Sequence, residues 1–389
     1  MMGPVLPSAT ASGLIIVKVL FVDMGIIFNK FISNFAFAQI YFWQAHFMTS
    51  ISELKAQLIP GTKAVITAHY NPDSDAIGST LAFQGYLAKK GIQATVAVPS
   101  AVSANLKWMS GAADILAYDD LLHKVQIDAL VEEADFIFCL DFSGIQRLHN
   151  MAPLVRKSRA KKVVIDHHLD PEDFGDYYYH RTIAASTCEL IYDLILEWGD
   201  ENLLDPAIGS CLYSGIMTDT GSFRHPNTTA HVHTVVAALI DLGVNTNEVH
   251  RKVFDSSSID RLKFIGHVLG QRMEYLPEYH LAFMWITAED LTKFNSQAGD
   301  TEGIVNYGLQ IAGCVWSILM IERPDGVKLS FRSIEPFAVN EFASKYFEGG
   351  GHKNASGGRF SAGTLKDAKK KLMEVLPLYL SEINRVKNI

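Results

Sequence analysis

The sequence has few cysteines, no surplus of positive charge and, beyond its first residues, no long uninterrupted apolar run. Its four cysteines, Cys139, Cys188, Cys211 and Cys314, stand far apart in apolar contexts without CxxC spacing. That excludes a disulfide-stapled scaffold and reads as buried, reduced thiols in a cytosolic protein. Lys and Arg number 34 against 42 Asp and Glu, a net charge of -8. The chain therefore lacks the basic footprint needed to grip long nucleic acid by its backbone, whereas a short or mononucleotide phosphate held by metals and a few cations stays compatible. Residues 13–29, GLIIVKVLFVDMGIIFN, approach the texture of a membrane span, but Lys18 and Asp23 interrupt them and no small-residue cleavage site follows. Residues 1–47 read as an over-extended start, with a membrane anchor as the alternative. Met48 opens MTSISELKAQL, a capped amphipathic helix of the kind that begins a soluble domain.

What is present is the composition of a folded soluble protein, 48% hydrophobic and 20% charged over 389 residues, a length that points to two domains. The most informative stretch runs from Ala64 to Phe83, AVITAHYNPDSDAIGSTLAF. Ala64 to Thr67 form a buried parallel strand, Asn71-Pro72 ends it, and Ala76, Thr80, Phe83 and Leu87 recur at helical spacing. Gly78 and Ser79 let the first turn approach the strand end. His69, Asp73 and Asp75 then fall in a strand-to-helix loop at the carboxyl edge of a sheet, where open α/β folds place ligands. Imidazole with hard carboxylates suits a divalent first-row metal. On spacing alone a second reading stands beside this one, in which Asn-Pro-Asp is a turn, Asp75 caps the helix and His69 lies on the surface.

The same arrangement recurs along the chain. Asp135 to Leu140, DFIFCL, is a buried strand with Asp141 at its end and a turn at Ser143-Gly144. Lys162 to Ile165 is another, running into Asp166-His167-His168, a polar triplet hard to explain as surface where a strand end is packed on both faces. Ser186 to Gly199 is punctuated as a helix, with Ser186 as N-cap and Glu189 completing a capping box. Asp205-Pro206 starts the next helix, which presents Asp219 from Thr218-Asp219-Thr220-Gly221, and Asn227 or Thr228 opens one ending at Gly243. Ser257 to Gln271 reads as a linker helix. After it come strands over Tyr279 to Ile286 and Val315 to Ile321, the latter pairing through Arg323-Pro324-Asp325-Gly326 with Val327 to Ser333. Gly349, Gly350 and Gly351 either form a flexible loop or let backbone N–H groups close on an anion with His352 as a further donor. Arg332 is either a phosphate clamp or an ordinary strand arginine.

Taken together these residues resemble the DHH phosphoesterases. His69-x-Asn71-Pro72-Asp73-x-Asp75, Asp141, Asp166-His167-His168 and Thr218-Asp219-Thr220-Gly221 are similar to the four family motifs in order. Gly349-Gly350-Gly351-His352 with Ala355, Ser356 and Gly357 resembles the signature of the DHH-associated C-terminal domain, and the whole is most like the nanoRNase and pAp-phosphatase branch. The resemblance implies an α/β fold: a parallel-sheet catalytic domain over residues 48–255, a linker over 256–275, and a smaller mixed α/β substrate-binding domain over 276–389, with a cleft between the two. It implies that His69, Asp73 and Asp141 hold one divalent ion and that Asp75, Asp141, His167 and Asp219 hold a second. Asp166 would orient a histidine and His168 would face the phosphate; the candidate substrate contacts, from their own chemistry, are Arg332, Gly349, Gly350, Gly351 and His352. Histidine in both ligand sets favours Mn²⁺ over Mg²⁺. The expected activity is metal-assisted hydrolysis of short single-stranded RNA oligonucleotides and of pAp in the cytoplasm. No membrane or long duplex partner is expected, and a homodimer is compatible. The alternatives are a cyclic- or linear-dinucleotide phosphodiesterase, a single-strand exonuclease, a family II type pyrophosphatase, or a nucleotide sensor that does not turn over.

Overall fold

The computed structural model describes residues 51–297 and 299–386; the expectations for residues 1–47 lie outside them. Among the described residues no helix is long and apolar enough to cross a membrane.

Short apolar segments make the first sheet: β1 (Lys63–Thr67), β2 (Gln93–Val98), β3 (Leu116–Ala117), β4 (Phe136–Leu140), β5 (Lys161–Asp166) and β6 (Tyr177–His180). FIFCL in β4 is buried at every position, the signature of a strand covered on both faces. The strands run parallel in the order β3-β2-β1-β4-β5-β6. Because Thr67 pairs with Cys139 and Leu140 with Ile165, the chain leaves β1, β4 and β5 at one edge. Strand order reverses between β1 and β4, and the crevice there is where this class of sheet takes ligands.

The helices of this lobe are α1 (Ser74–Lys89), α2 (Leu121–Glu133), α3 (Ala152–Lys157), α4 (Thr187–Glu197), α5 (Pro206–Asp219), α6 (Ala230–Asp241) and α7 (Thr246–Phe254). Helices α1, α4 and α5 pack on one another. Gly78 serves this contact and not the strand end, since a Cβ there would lie 2.5 Å from the Cys211 carbonyl oxygen. Residues 51–57 are helical, and Ile51, Leu54 and Leu58 enter the same core. Two caps differ from expectation. Asn227 spends its amide on the Ala185 and Asp219 carbonyls, so Thr229 caps α6. Ser186 caps α4 as expected, but the Glu189 carboxylate reaches past it to the Ala185 N–H.

The second lobe contains α8 (Ile259–Gln271), β7 (Met273–Leu276), β8 (Leu281–Ile286), α9 (Ala288–Lys293), β9 (Trp316–Arg323), β10 (Gly326–Ser333), α10 (Val339–Tyr346), β11 (Gly350–His352), β12 (Ala355–Phe360), α11 (Leu365–Val375) and α12 (Leu380–Val386). Its sheet, β11-β12-β10-β9-β8-β7, is mixed, with β8 and β9 parallel and the other pairs antiparallel. The strand expected from Tyr279 starts at Leu281, because Pro277–Tyr279 makes a 3₁₀ turn and His280 is left-handed. Alternation sorts the faces: Ile318, Met320, Leu329 and Phe331 pack with Phe342 and Leu372, whereas Leu319 and Ile321 pack with Phe264 and Val268. Helix α8 therefore does more than link, since its apolar stripe covers one face of the second sheet.

Candidate active site

Helix geometry at the end of β1 distributes the first carboxylates. Asp73 is the N-cap of α1, its Oδ1 accepting from the Asp75 and Ala76 N–H groups. Asp75, the second residue of α1 and within its first turn, is fully buried, and His69 is 6% exposed. The surface-histidine reading and the assignment of the cap to Asp75 are thereby corrected. The cap leaves Asp73 Oδ2 directed to His69 Nε2, 3.9 Å away. Asp141, in the left-handed conformation (φ 65°) just past β4, lies 3.5 Å from the same nitrogen.

His167 continues the cluster. Its Nε2 lies 3.5 Å from Asp141 Oδ1, 3.5 Å from Asp219 Oδ2 and 3.8 Å from Asp75 Oδ2. His69 donates Nδ1–H to the Tyr70 carbonyl at 2.9 Å, and His167 Nδ1 lies 3.3 Å from the Ala184 carbonyl. These bonds engage Nδ1 and turn Nε2 of each ring toward the carboxylates, where it carries a proton or would offer its lone pair to a metal, the arrangement of a metal-binding histidine. His167 Nε2 is buried and, among the described residues, has no hydrogen-bond partner. His69, Asp73 and Asp141 form one group able to hold a cation, and Asp75, Asp141 and His167 another, with Asp141 common to both.

The electrostatics agree with the geometry. Burial, reinforced by Asp141, pushes Asp75 up to about 8. Burial and the Asp75 and Asp73 charges push Asp219 well above the ordinary carboxyl value. For Asp141, burial is outweighed by the His167 and His69 imidazoles, and its carboxyl stays well below that value. Burial would lower both histidines, but Asp141 overrides it, raising His69 and bringing His167 up to about 10. Packed carboxylates of this kind need compensating positive charge, from protons or from divalent cations. The donor set, two imidazole nitrogens and oxygens from four aspartates, fits a pair of first-row divalent ions.

Asp166, the last residue of β5, is buried and accepts from His168 Nδ1 at 2.7 Å. That bond orients the ring and frees its Nε2 toward the cleft. The second lobe reaches this point: the His352 ring stacks on His168 with centroids 4.7 Å apart and lies 5.1 Å from His167. Burial and the two facing imidazoles hold His352 down to about 3, so it is a neutral donor at pH 7. Arg332 lies on the face of β10 opposite its buried residues; its guanidinium faces Asp219 and Asp73, whose charges oppose the lowering that burial imposes. Among the described residues its guanidinium donates from Nη1 to the Phe331 carbonyl alone, which leaves most of the fork open to a ligand. The glycines do not form a loose loop, since Gly350 and Gly351 pair with β12. A Cβ on Gly349 or Gly351 would strike β12 backbone, whereas Gly350 faces open space.

Residues unmarked by any motif complete the arrangement. The Thr187 and Cys188 N–H groups at the start of α4 donate to the two Asp75 oxygens at 2.7 and 2.9 Å, and Thr187 Oγ1 donates to Asp141 Oδ1 at 2.9 Å. Gly215 of α5 makes room, because a Cβ there would sit 2.5 Å from Asp75 Oδ1. The Ser186 cap signals where α4 begins, but no local pattern says what that helix end meets.

Family models match the chain in order, the N-terminal domain of the DHH family over residues 63–216 and the DHHA1 domain over residues 279–377. An exopolyphosphatase-related protein from Bacteroides fragilis superposes with a TM-score of 0.82 at 36% identity, over 87% of this chain and 98% of its own. The bifunctional oligoribonuclease and PAP phosphatase NrnA of Bacillus subtilis is 28% identical, over 75% of this chain and 88% of its own. The protein of the same name from Thermus thermophilus is 29% identical, over 80% and 88%. With both domains matched in sequence and the fold shared along nearly the whole of a relative, the chain belongs to the DHH family and is a phosphoesterase, a hydrolase whose second lobe is a DHHA1 domain.

Proposed function

We propose that this chain hydrolyses short single-stranded RNA oligonucleotides to mononucleotides and converts pAp to AMP and phosphate, with two divalent ions, Mn²⁺ before Mg²⁺. The observation that carries the reading is the buried His167 Nε2, unbonded among the described residues and facing three aspartates, one of which also faces His69. In this reading His69, Asp73 and Asp141 hold one ion, and Asp75, Asp141, His167 and Asp219 the other. When bound, the ions supply Lewis acidity for attack on phosphorus. The chain's own part is positional. Asp166 keeps His168 turned so that Nε2 meets the phosphate or the departing oxygen, and His352, Arg332 and the Gly349–Gly351 segment grip the anion from the facing lobe. The NrnA-named relatives support this choice of substrate, and the acidic net charge speaks against long duplexes.

The test is a panel of pAp, di- to pentanucleotides and cyclic dinucleotides, assayed with Mn²⁺ and with EDTA. The expected result is Mn²⁺-dependent release of phosphate from pAp and mononucleotides from the linear RNAs, with Asp141→Ala inactive on all of them. Hydrolysis of cyclic dinucleotides alone, or an active Asp141→Ala variant that still binds two metals, would overturn the proposal.

A further inference from the structure

Beside the cluster lies an aromatic pair that neither the core nor the metal-type residues use. The Tyr70 and His149 rings stack at 4.2 Å with 26° between their planes, Tyr70 half-buried and His149 exposed. Tyr70 follows His69 in the loop after β1, His149 comes from the loop after β4, and the Tyr70 N–H donates to the Arg147 carbonyl at 2.8 Å. The pair thus spans the crevice where strand order reverses. Both loops adopt backbone that non-glycine residues rarely take, with Asn71 at φ 53° and His149 at φ 46°, ψ −120°. Such conformations persist where the surroundings impose them, commonly at ligand clamps. The second lobe meets the first through His352 after β5, and through Gly299, where a Cβ would lie 3.3 Å from Ser103 Oγ after β2. In strand order, the loops of Tyr70 and His149 lie between those two contacts. Arg147 is exposed, makes no ion pair among the described residues, and lies close enough to His149 for its charge to lower that ring.

We propose that the outer face of His149, backed by Tyr70, is a nucleobase-stacking subsite with Arg147 as its phosphate partner. It takes the second nucleoside of a dinucleotide, across the scissile phosphate from the one the DHHA1 lobe grips. This rests on the oligoribonuclease reading above. Stacking on an aromatic face tolerates any base, as an enzyme degrading mixed short RNAs requires. Burial and Arg147 keep His149 below its ordinary value, so the ring is neutral at pH 7 and stacks without carrying charge.

The test compares pApA, which has two bases, with pAp, which has one. His149→Ala and Tyr70→Leu should lower kcat/KM on pApA about 5- to 100-fold, mainly through KM, and leave pAp within about twofold. His149→Phe and Tyr70→Phe should restore pApA turnover, and bound Mn²⁺ and Tm should not move in any variant. Equal losses on both substrates would make the pair a prop for the His69 loop, and no loss on pApA would remove the subsite; either overturns the proposal. If the unaltered enzyme turned over neither substrate, the functional reading would fail first. Equilibrium binding of pApA with Ca²⁺ in place of Mn²⁺, compared between the parent and His149→Ala, would then decide the subsite separately.

Discussion

Thr187 shows how much one hydroxyl can decide. Asp75 and Asp141 would repel across the centre, and Thr187 engages both, one through its N–H and the other through Oγ1. Groups that orient metal ligands typically carry 10- to 100-fold of metal affinity. Thr187→Val keeps the shape and the N–H but removes the hydroxyl. Its Mn²⁺ affinity, read by calorimetry without substrate, should fall about tenfold or more, while Thr187→Ser stays near the parent. An unchanged affinity would reduce the contact to packing. The candidate ligands His69, Asp73, Asp75 and Asp141 could be picked out in the sequence because each follows a strand or a turn. The division of labour between Asp73 as cap and Asp75 as buried acceptor was not, since both roles suit an aspartate near a helix start.

At the scale of elements, Asp290 joins two helices through a buried charge. It is the third residue of α9 in a capping box with Thr287, and its side chain is only 3% exposed. It also accepts from Arg272 at 2.9 and 3.0 Å and pairs with His267 of α8 at 2.8 Å. Burial would raise its pKa, but Arg272, the Thr287 N–H and His267 hold it well below the ordinary 3.8. A depressed carboxyl stabilises the folded state fully above its unfolded pKa, near 4, and loses that contribution as pH falls further toward its folded value. Asp290→Asn should therefore cost about 2–4 kcal/mol at pH 7. The gap to the parent should narrow progressively below about pH 4, as urea denaturation at pH 7 and pH 3 would show. A gap independent of pH would mean that packing, not charge, is lost. The hairpin of β9 and β10 was readable from its turn residues. The burial of α8 against the second sheet was not, because one amphipathic stripe does not name the surface it covers.

At the scale of the molecule, each lobe has its own core, and the first core begins before β1. Ile51, Leu54 and Leu58 are 5%, 0% and 4% exposed. A chain starting at Met48 should keep its Tm and its activity on pAp. One starting at Thr62 loses three buried side chains at about 1.5–3 kcal/mol each, a sum on the order of a whole domain's stability, and should not fold. Thermal melts and pAp turnover of both truncations check this, and a destabilised Met48 start would bring residues 1–47 into the core. Periodicity and turn chemistry are local properties, and from them the sequence alone determined the strand ends, most helices and the candidate ligands, while the order of its motifs carried the resemblance that implied a two-lobed α/β class. Only the tertiary structure decided that α4 would aim its first N–H groups and Thr187 at the aspartates, that His352 would lie on His168, and that Tyr70 would stack on His149. These are contacts between residues far apart in the chain, set by how helices and lobes pack, and no local pattern encodes the partner.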